Sequence, residues 1–219
     1  MPEPLTMIGV AAGLGTIGVH LARRFFETAK EIFDIVVGFL ALVVSLPLMA
    51  VCAILVKLSS KGPVLFRQAR VGRGGKQFSM LKFRTMYVDV KPVDGVLWTE
   101  DDDPRIMPVC RWMRRSHIDE LPQLINVVRG EMSIVGPRPE RPEIVAELQK
   151  ICPDFSKRHI VRPGITGLSQ IRNGYAASVQ GSLEKLKADL QYIEQRKWSS
   201  ELRIIAQTVP KILGDSKAH

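Results

Sequence analysis

Asp119 and Glu120 stand side by side just ahead of Leu121-Pro122-Gln123-Leu124-Ile125-Asn126-Val127-Val128-Arg129-Gly130, and Arg111, Arg114 and Arg115 lie just upstream. An acid at a helix start accepts backbone N–H bonds and complements the helix dipole, which accounts for Asp119 as a cap with no chemistry at all. Capping does not account for the next element. In Gly130-Glu131-Met132-Ser133-Ile134-Val135-Gly136-Pro137-Arg138-Pro139-Glu140 two prolines enclose Arg138. An arginine fixed in a rigid turn suits bidentate recognition of phosphate. A further acidic run, Asp101-Asp102-Asp103 before Pro104, reads as a loop or helix entry, because three adjacent carboxylates seldom converge on one metal. Gly13-Leu14-Gly15-Thr16-Ile17-Gly18 formally matches the dinucleotide fingerprint. That fingerprint needs a strand before it and an acid closing a second strand, whereas Asp34 comes before the next apolar run instead of ending it. Cys52, Cys110 and Cys152 are odd in number, far apart and without a CxxC, so a reducing cytosolic setting is expected, and no Cys/His spacing suggests zinc.

The elements that must position these groups can be read from periodicity. Leu121, Leu124, Ile125 and Val128 make the stripe of a core-facing helix that stops at Gly130, with Pro122 tolerated only in its first turn and Asp119 as its N-cap. Short strand-like pieces, Val64–Phe66 and Phe78–Phe83, are separated by glycine-rich turns. Glu143–Lys150 reads as a short helix, Leu183, Leu186, Leu190 and Ile193 mark an amphipathic one, and Trp198–Leu213, interrupted by Pro210, fits a helix lying on a membrane surface.

Charge divides the chain in two. The 219 residues carry 31 Lys+Arg against 22 Asp+Glu, a net +9, yet residues 1–58 hold four of each sign and the rest holds the whole excess. Ile35–Val56 is 22 residues without a charge, roughly 33 Å as a helix, against a bilayer core of about 30 Å. Pro47, just after Ser45, breaks a straight span. Arg23, Arg24 and Lys30 precede the run, and Lys57, Lys61, Arg67, Arg70 and Arg73 follow it, so neither end is marked as the far side. A re-entrant hairpin of Ile35–Ser45 and Pro47–Val56 fits both facts, the Ser45 hydroxyl serving backbone groups freed at the break. A Pro-kinked spanning helix is the plainer alternative. Leu5–Ala22 is a second apolar stretch, inserted in or lying on the membrane, where Gly9 and Gly13 permit close packing and self-association. Lys61 to Met86 holds seven basic residues and no acid. Directly after a membrane segment this favours anionic lipid and phosphate over a solvated loop. With 6% aromatics and no nucleic-acid motif, nucleic acid is not an expected partner.

Four stretches together resemble bacterial sugar transferases of the monotopic phosphoglycosyl transferase type: Lys82-Phe83-Arg84-Thr85-Met86, Asp119-Glu120-Leu121-Pro122-Gln123-Leu124, Met132-Ser133-Ile134-Val135-Gly136-Pro137-Arg138-Pro139 and Arg162-Pro163-Gly164-Ile165-Thr166-Gly167-Leu168. They occur in the family's order within about residues 30–213. The Ser45/Pro47 segment is similar to the family's re-entrant helix, although here Leu46 separates the two. Ile171-Arg172-Asn173-Gly174-Tyr175 departs from the Asn-Gly-Arg-like turn of many relatives.

The resemblance implies transfer of a sugar-1-phosphate from a UDP-sugar to polyprenyl (undecaprenyl) phosphate with release of UMP, the first membrane step of glycoconjugate or exopolysaccharide assembly. Asp119 is then the nucleophile, forming an acyl-phosphate, and also a contact for Mg²⁺. Glu120 is the base or orienting group, and Arg114, Arg138 and Lys82 are the phosphate ligands. The expected fold is a helix-dominated α/β domain at the cytosolic face of the bacterial inner membrane. Residues 1–30 would form the N-terminal apolar segment, 31–60 the re-entrant helix and 61–219 the catalytic domain. A non-catalytic basic adaptor for acidic lipid is the different-class alternative.

Overall fold

The computed structural model describes residues 5–88, 103–173 and 179–214, with side chains for 21–88, 103–172 and 179–210. Helix α1 (Leu5–Ser59) carries the apolar N-terminal material in one helical run. The Gly13–Gly18 stretch therefore lies within a helix, not in the strand–turn–helix that a dinucleotide site needs. Ser45 and Pro47 lie inside the same run, so the expected break is a proline within a helix and not a loop. Pro47 leaves the Val43 carbonyl without its helical donor. One residue earlier, the Ser45 hydroxyl donates to the Leu42 carbonyl at 2.9 Å, a back-bond of the kind that bends helices.

Leu21–Ser59 is long and apolar enough to cross a membrane. Its apolar side chains are bare where those of a soluble core helix would be covered: Phe39, Leu40, Val43, Val44, Leu46 and Leu48 are all exposed, Val44 by 82%. This marks the helix as membrane-associating. Both ends of the uncharged run rest on the rest of the chain. Near its start, a Cβ on Gly38 would come within 2.8 Å of Val127 Cγ1, so only glycine permits that approach. Near its end, Cys52 and Val56 are buried against Phe83, Met107, Cys110 and Met113.

The remaining elements are short. Strands β1 (Leu65–Val71) and β2 (Gln77–Phe83) form an antiparallel hairpin in which Leu65 faces Phe83 and Val71 faces Gln77. Both strands run longer than the pieces expected from sequence, because the ladder continues through the polar residues Arg67, Gln68 and Arg70, of which only Arg67 is exposed. Helix α2 (Arg111–Arg115) leads to a 3-10 turn at Ile118–Glu120 and then to α3 (Gln123–Val128). Strand β3 (Ser133–Val135) pairs in parallel with β4 (Gly164–Thr166), and α4 (Pro142–Ile151) with a 3-10 stretch at Pro153–Ile160 forms the crossover. Helices α5 (Leu168–Asn173), α6 (Val179–Glu194) and α7 (Trp198–Gly214) complete the order. Pro210 sits within α7 without interrupting it. The fold is thus α/β and helix-dominated, with two separate two-stranded pairs among the described residues.

Apolar stripes meet in several small clusters. Val71, Ile144, Val145, Leu148, Phe155 and Leu186 join β1, α4 and α6. Val135, Val161, Tyr192, Ile193 and Ile204 join β3 to α6 and α7. Met80, Val127 and Met132 lock β2 to α3.

Candidate active site

Helix α3 is shorter than its stripe suggests, and its first turn is replaced by the 3-10 turn Ile118–Glu120. The chain enters that turn through His117 in the left-handed region, φ 55, a conformation unusual for a side-chain-bearing residue. Asp119 is consequently not the N-cap of α3: that position is Pro122, with no side-chain cap bond. The buried face of α3 is Gln123, Leu124, Asn126 and Val127, while Leu121, Ile125 and Val128 are half-buried. The difference arises because α3 is packed from two sides, by α1 and by β2.

The neighbouring carboxylates meet opposite fates. Glu120 Oε1 accepts from Lys82 Nζ at 2.7 Å and from Arg138 Nη2 at 2.6 Å, and its Oε2 accepts from Arg138 Nη1 at 3.2 Å. Burial alone would raise its pKa, but Arg138 and Lys82 hold it well below the usual carboxylate range. Glu120 is thus held in its ionised form by the two cations that it bridges. Lys82 in turn is pushed down, chiefly by burial, with Glu120 opposing.

Asp119 is 8% exposed and accepts no hydrogen bond among the described residues. Burial first, and the Glu120 charge second, push it up to about 7 against the pull of Lys82, Arg114 and Arg138. The fold therefore brings together all five residues that the sequence singled out. Arg114 lies on α2, with Nη1 3.4 Å from Thr85 Oγ1.

Other basic residues of the connector have structural work. The Arg84 guanidinium donates to the Lys61 and Ser60 carbonyls at 2.7 and 2.9 Å, closing the C-terminal end of α1. Arg70, Lys82 and Arg84 point inward, and only Lys61, Arg67, Arg73 and Lys76 remain exposed for an anionic surface. Of the acidic run, Asp101 and Asp102 lie outside the described residues. Asp103 is taken by Arg105, whose Nη2 approaches its Oδ2 at 2.5 Å. Among the described residues no group of three or more His, Cys, Asp or Glu side chains could hold a metal.

Sequence reasoning missed several residues that hold the site. Asn126 is fully buried; its Oδ1 accepts from Leu81 N at 3.0 Å, and its Nδ2 donates to Ser79 O at 2.8 Å and Glu131 Oε2 at 2.6 Å. It bonds the edge of β2 that β1 leaves free, beside Lys82. Lys30 Nζ lies 2.5 Å from Asp34 Oδ1, 2.7 Å from Ser133 Oγ and 3.3 Å from Glu201 Oε2, tying α1 to the strand that leads to Arg138. The Tyr192 hydroxyl lies 2.9 Å from Val135 O and 2.8 Å from Glu201 Oε1 in the same cluster. A usable signal existed in Asp189, an acid three residues after Leu186 and four before Ile193, inside the apolar stripe of α6.

Residues 25–215 match the family model described as bacterial sugar transferase. The chain is 38% identical over 197 residues to a UDP-N-acetylgalactosamine-undecaprenyl-phosphate N-acetylgalactosaminephosphotransferase of Aeromonas hydrophila, covering 90% of the chain and 46% of that relative. It is 38% identical over 204 residues to a UDP-glucose:undecaprenyl-phosphate glucose-1-phosphate transferase of Caulobacter vibrioides, covering 92% and 76%. It is 40% identical over 185 residues to exopolysaccharide production protein PSS of Rhizobium leguminosarum bv. phaseoli, covering 82% and 92%. The chain spans less than half the length of several curated relatives that it matches.

Proposed function

The chain belongs to the bacterial sugar transferase family, and from that premise we propose that it moves a sugar-1-phosphate from a UDP-sugar to undecaprenyl phosphate through a covalent intermediate on Asp119. The Asp119 carboxylate attacks the β-phosphorus of the UDP-sugar, the bond from that phosphorus to the bridging oxygen breaks, and UMP leaves with the bridging oxygen. An oxygen of the lipid phosphate then attacks the same phosphorus and expels the Asp119 carboxylate, giving the lipid diphosphate sugar.

The observation that carries this reading is the contrast between the two carboxylates. Glu120 is saturated by Lys82 and Arg138, whereas Asp119 has no hydrogen-bond partner among the described residues and sits beside the same cations. A nucleophile must be both available and surrounded by charge that meets the incoming phosphates. Arg114 is the cation least committed to Glu120 and is assigned to the diphosphate. Glu120 keeps Lys82 and Arg138 in place.

Mg²⁺ fits this donor set in one way. It accepts one or two carboxylates and completes its shell with phosphate oxygens and water, so Asp119 would be its protein ligand and the diphosphate would supply the rest. When bound, the ion neutralises charge on the diphosphate.

We further assign Ile35–Val56 to a re-entrant hairpin with the catalytic part on the cytosolic face of the inner membrane. Pro47 lies on the exposed side of α1 with Val43, while Ser45 and Leu42 lie on the half-buried side. The proline ring clashes with the preceding turn and opens the helix on its own face. Bending therefore carries both arms toward the side on which Asp34, Gly38, Cys52 and Val56 are buried.

The chemistry is tested by incubating detergent-purified protein with Mg²⁺ and a panel of labelled UDP-sugars without lipid acceptor. Label should stay on the wild-type protein, be released by hydroxylamine, and be absent from Asp119→Asn. Full UMP release by Asp119→Asn, with acceptor present, would overturn the reading, and no turnover with any UDP-sugar would favour the lipid adaptor. For topology, cysteines at the exposed positions 24 and 61 should react with an impermeant reagent from the same side; opposite sides would refute the hairpin.

A further inference from the structure

We propose that Arg158, held by Asp189, is a positioning residue for the transfer reaction: it fixes the Pro137-Arg138-Pro139 turn so that the Arg138 guanidinium meets Glu120 beside Asp119. The proposal rests on Asp119 being the nucleophile.

Two of the three residues in this turn are prolines without an N–H, so the turn cannot knit itself together by its own backbone bonds. Its carbonyls are instead claimed from outside. Pro137 O accepts from Gly164 N at 2.9 Å, and Glu140 O accepts from Val71 N at 3.0 Å. Between them, Arg138 O accepts from Arg158 Nη2 at 2.8 Å, and Pro139 O accepts from Arg70 Nη1 at 2.9 Å. Four consecutive carbonyls are thus pinned by donors from β4, the 3-10 stretch and β1. The one holding the residue that carries the reactive guanidinium is held by Arg158.

Arg158 is placed for that contact and little else. It is 5% exposed, its guanidinium lies 4.8 Å from the centre of the Phe155 ring, and Nη2 also donates to Asp189 Oδ2 at 2.7 Å. A buried ion pair of this kind is seldom worth more to stability than apolar residues of the same volume. Phe155 is an apolar neighbour of the guanidinium, and the buried Ser169 hydroxyl is the other partner of Asp189. What no apolar pair can supply is a donor for the Arg138 carbonyl. Removing that donor loosens the turn at Arg138 itself, and the Arg138 guanidinium is no longer held in register with Glu120.

The test compares Arg158→Met/Asp189→Leu, which leaves no buried charge, with Arg138→Ala and with the combination. The readouts are kcat and KM for UMP release at one pH, and thermal stability. The apolar pair should fold and lose about tenfold or more in kcat/KM, through kcat. Adding Arg138→Ala should lower it no further, and Arg158→Lys, which can still donate to the carbonyl, should restore it. An unchanged kcat/KM, or a further loss on adding Arg138→Ala, overturns the proposal. Should the apolar pair fail to fold, Arg158→Gln, too short to reach both partners, carries the same expectation. An active Asp119→Asn would sink the transfer reading itself; an inactive one beside an unchanged kcat/KM for the Arg158 variants sinks only the role of Arg158.

Discussion

Replacing Asp119 by asparagine should make the protein more stable at the pH where it works. Asp119 is buried, lacks a hydrogen-bond partner among the described residues, and is pushed up from 3.8 to about 7 by burial and by Glu120. Between those two values the folded protein still holds a proton that the unfolded chain has lost. Stability therefore declines as pH rises from about 4 to about 7 and stays low above it. Three pH units at about 1.4 kcal/mol each amount to about 4 kcal/mol. Asparagine is neutral throughout and should recover most of this at pH 8, a rise in Tm of about 8 °C or more for a chain of this size. At pH 5 less than half the cost has accrued, so the gain should be smaller by about 5 °C. The assay is thermal unfolding of detergent-purified wild type and Asp119→Asn from pH 5 to 8 at one scan rate, followed by tryptophan fluorescence. A gain that does not grow with pH, or a loss of stability at pH 8, refutes the claim that the fold holds an ionised Asp119 at a cost. A more stable but inactive variant is the expected trade of stability for reactivity.

Because the nucleophile must be ionised, kcat/KM for UMP release should rise with pH and level off above a midpoint near 7, the pKa to which burial pushes Asp119; a flat profile between pH 5 and 8 would contradict this. Glu120→Gln leaves Lys82 and Arg138 without their shared carboxylate and should cost about 3–5 kcal/mol in a denaturant titration, with activity falling as the cations lose their anchor. Asn126→Ala strips partners from Leu81 N, Ser79 O and Glu131 at once; a loss of about 2–4 kcal/mol is expected, together with a drop in activity larger than that of Asn126→Asp, which keeps the acceptor for Leu81 N.

Legibility followed the physics of each feature. The uncharged run 35–56 and the charge split were readable because lipid compatibility is a local property of composition. The Arg138 turn was readable because proline acts on its own backbone. Asp119 as a cap was not borne out, since the choice between a 3-10 turn and an α-helical first turn at 118–120 depends on His117 adopting φ 55 and on packing from α1 and β2. The inward turn of Arg70 and Arg84 was equally hidden: a basic residue looks the same in sequence whether it meets lipid or a carbonyl 2.7 Å away.

The sequence by itself determined which materials were present: an apolar helix with a proline near its centre, adjacent carboxylates, a proline-locked arginine and an excess of cations, all properties of short stretches. Only the tertiary structure decided how charge is shared. Lys82, Glu120 and Arg138 come from a strand, a turn and a loop far apart in the chain, and their meeting leaves Glu120 saturated and Asp119 without a hydrogen bond among the described residues. Two adjacent carboxylates differ in reactivity because burial and partner distance, which no local pattern encodes, set the energy of each charge.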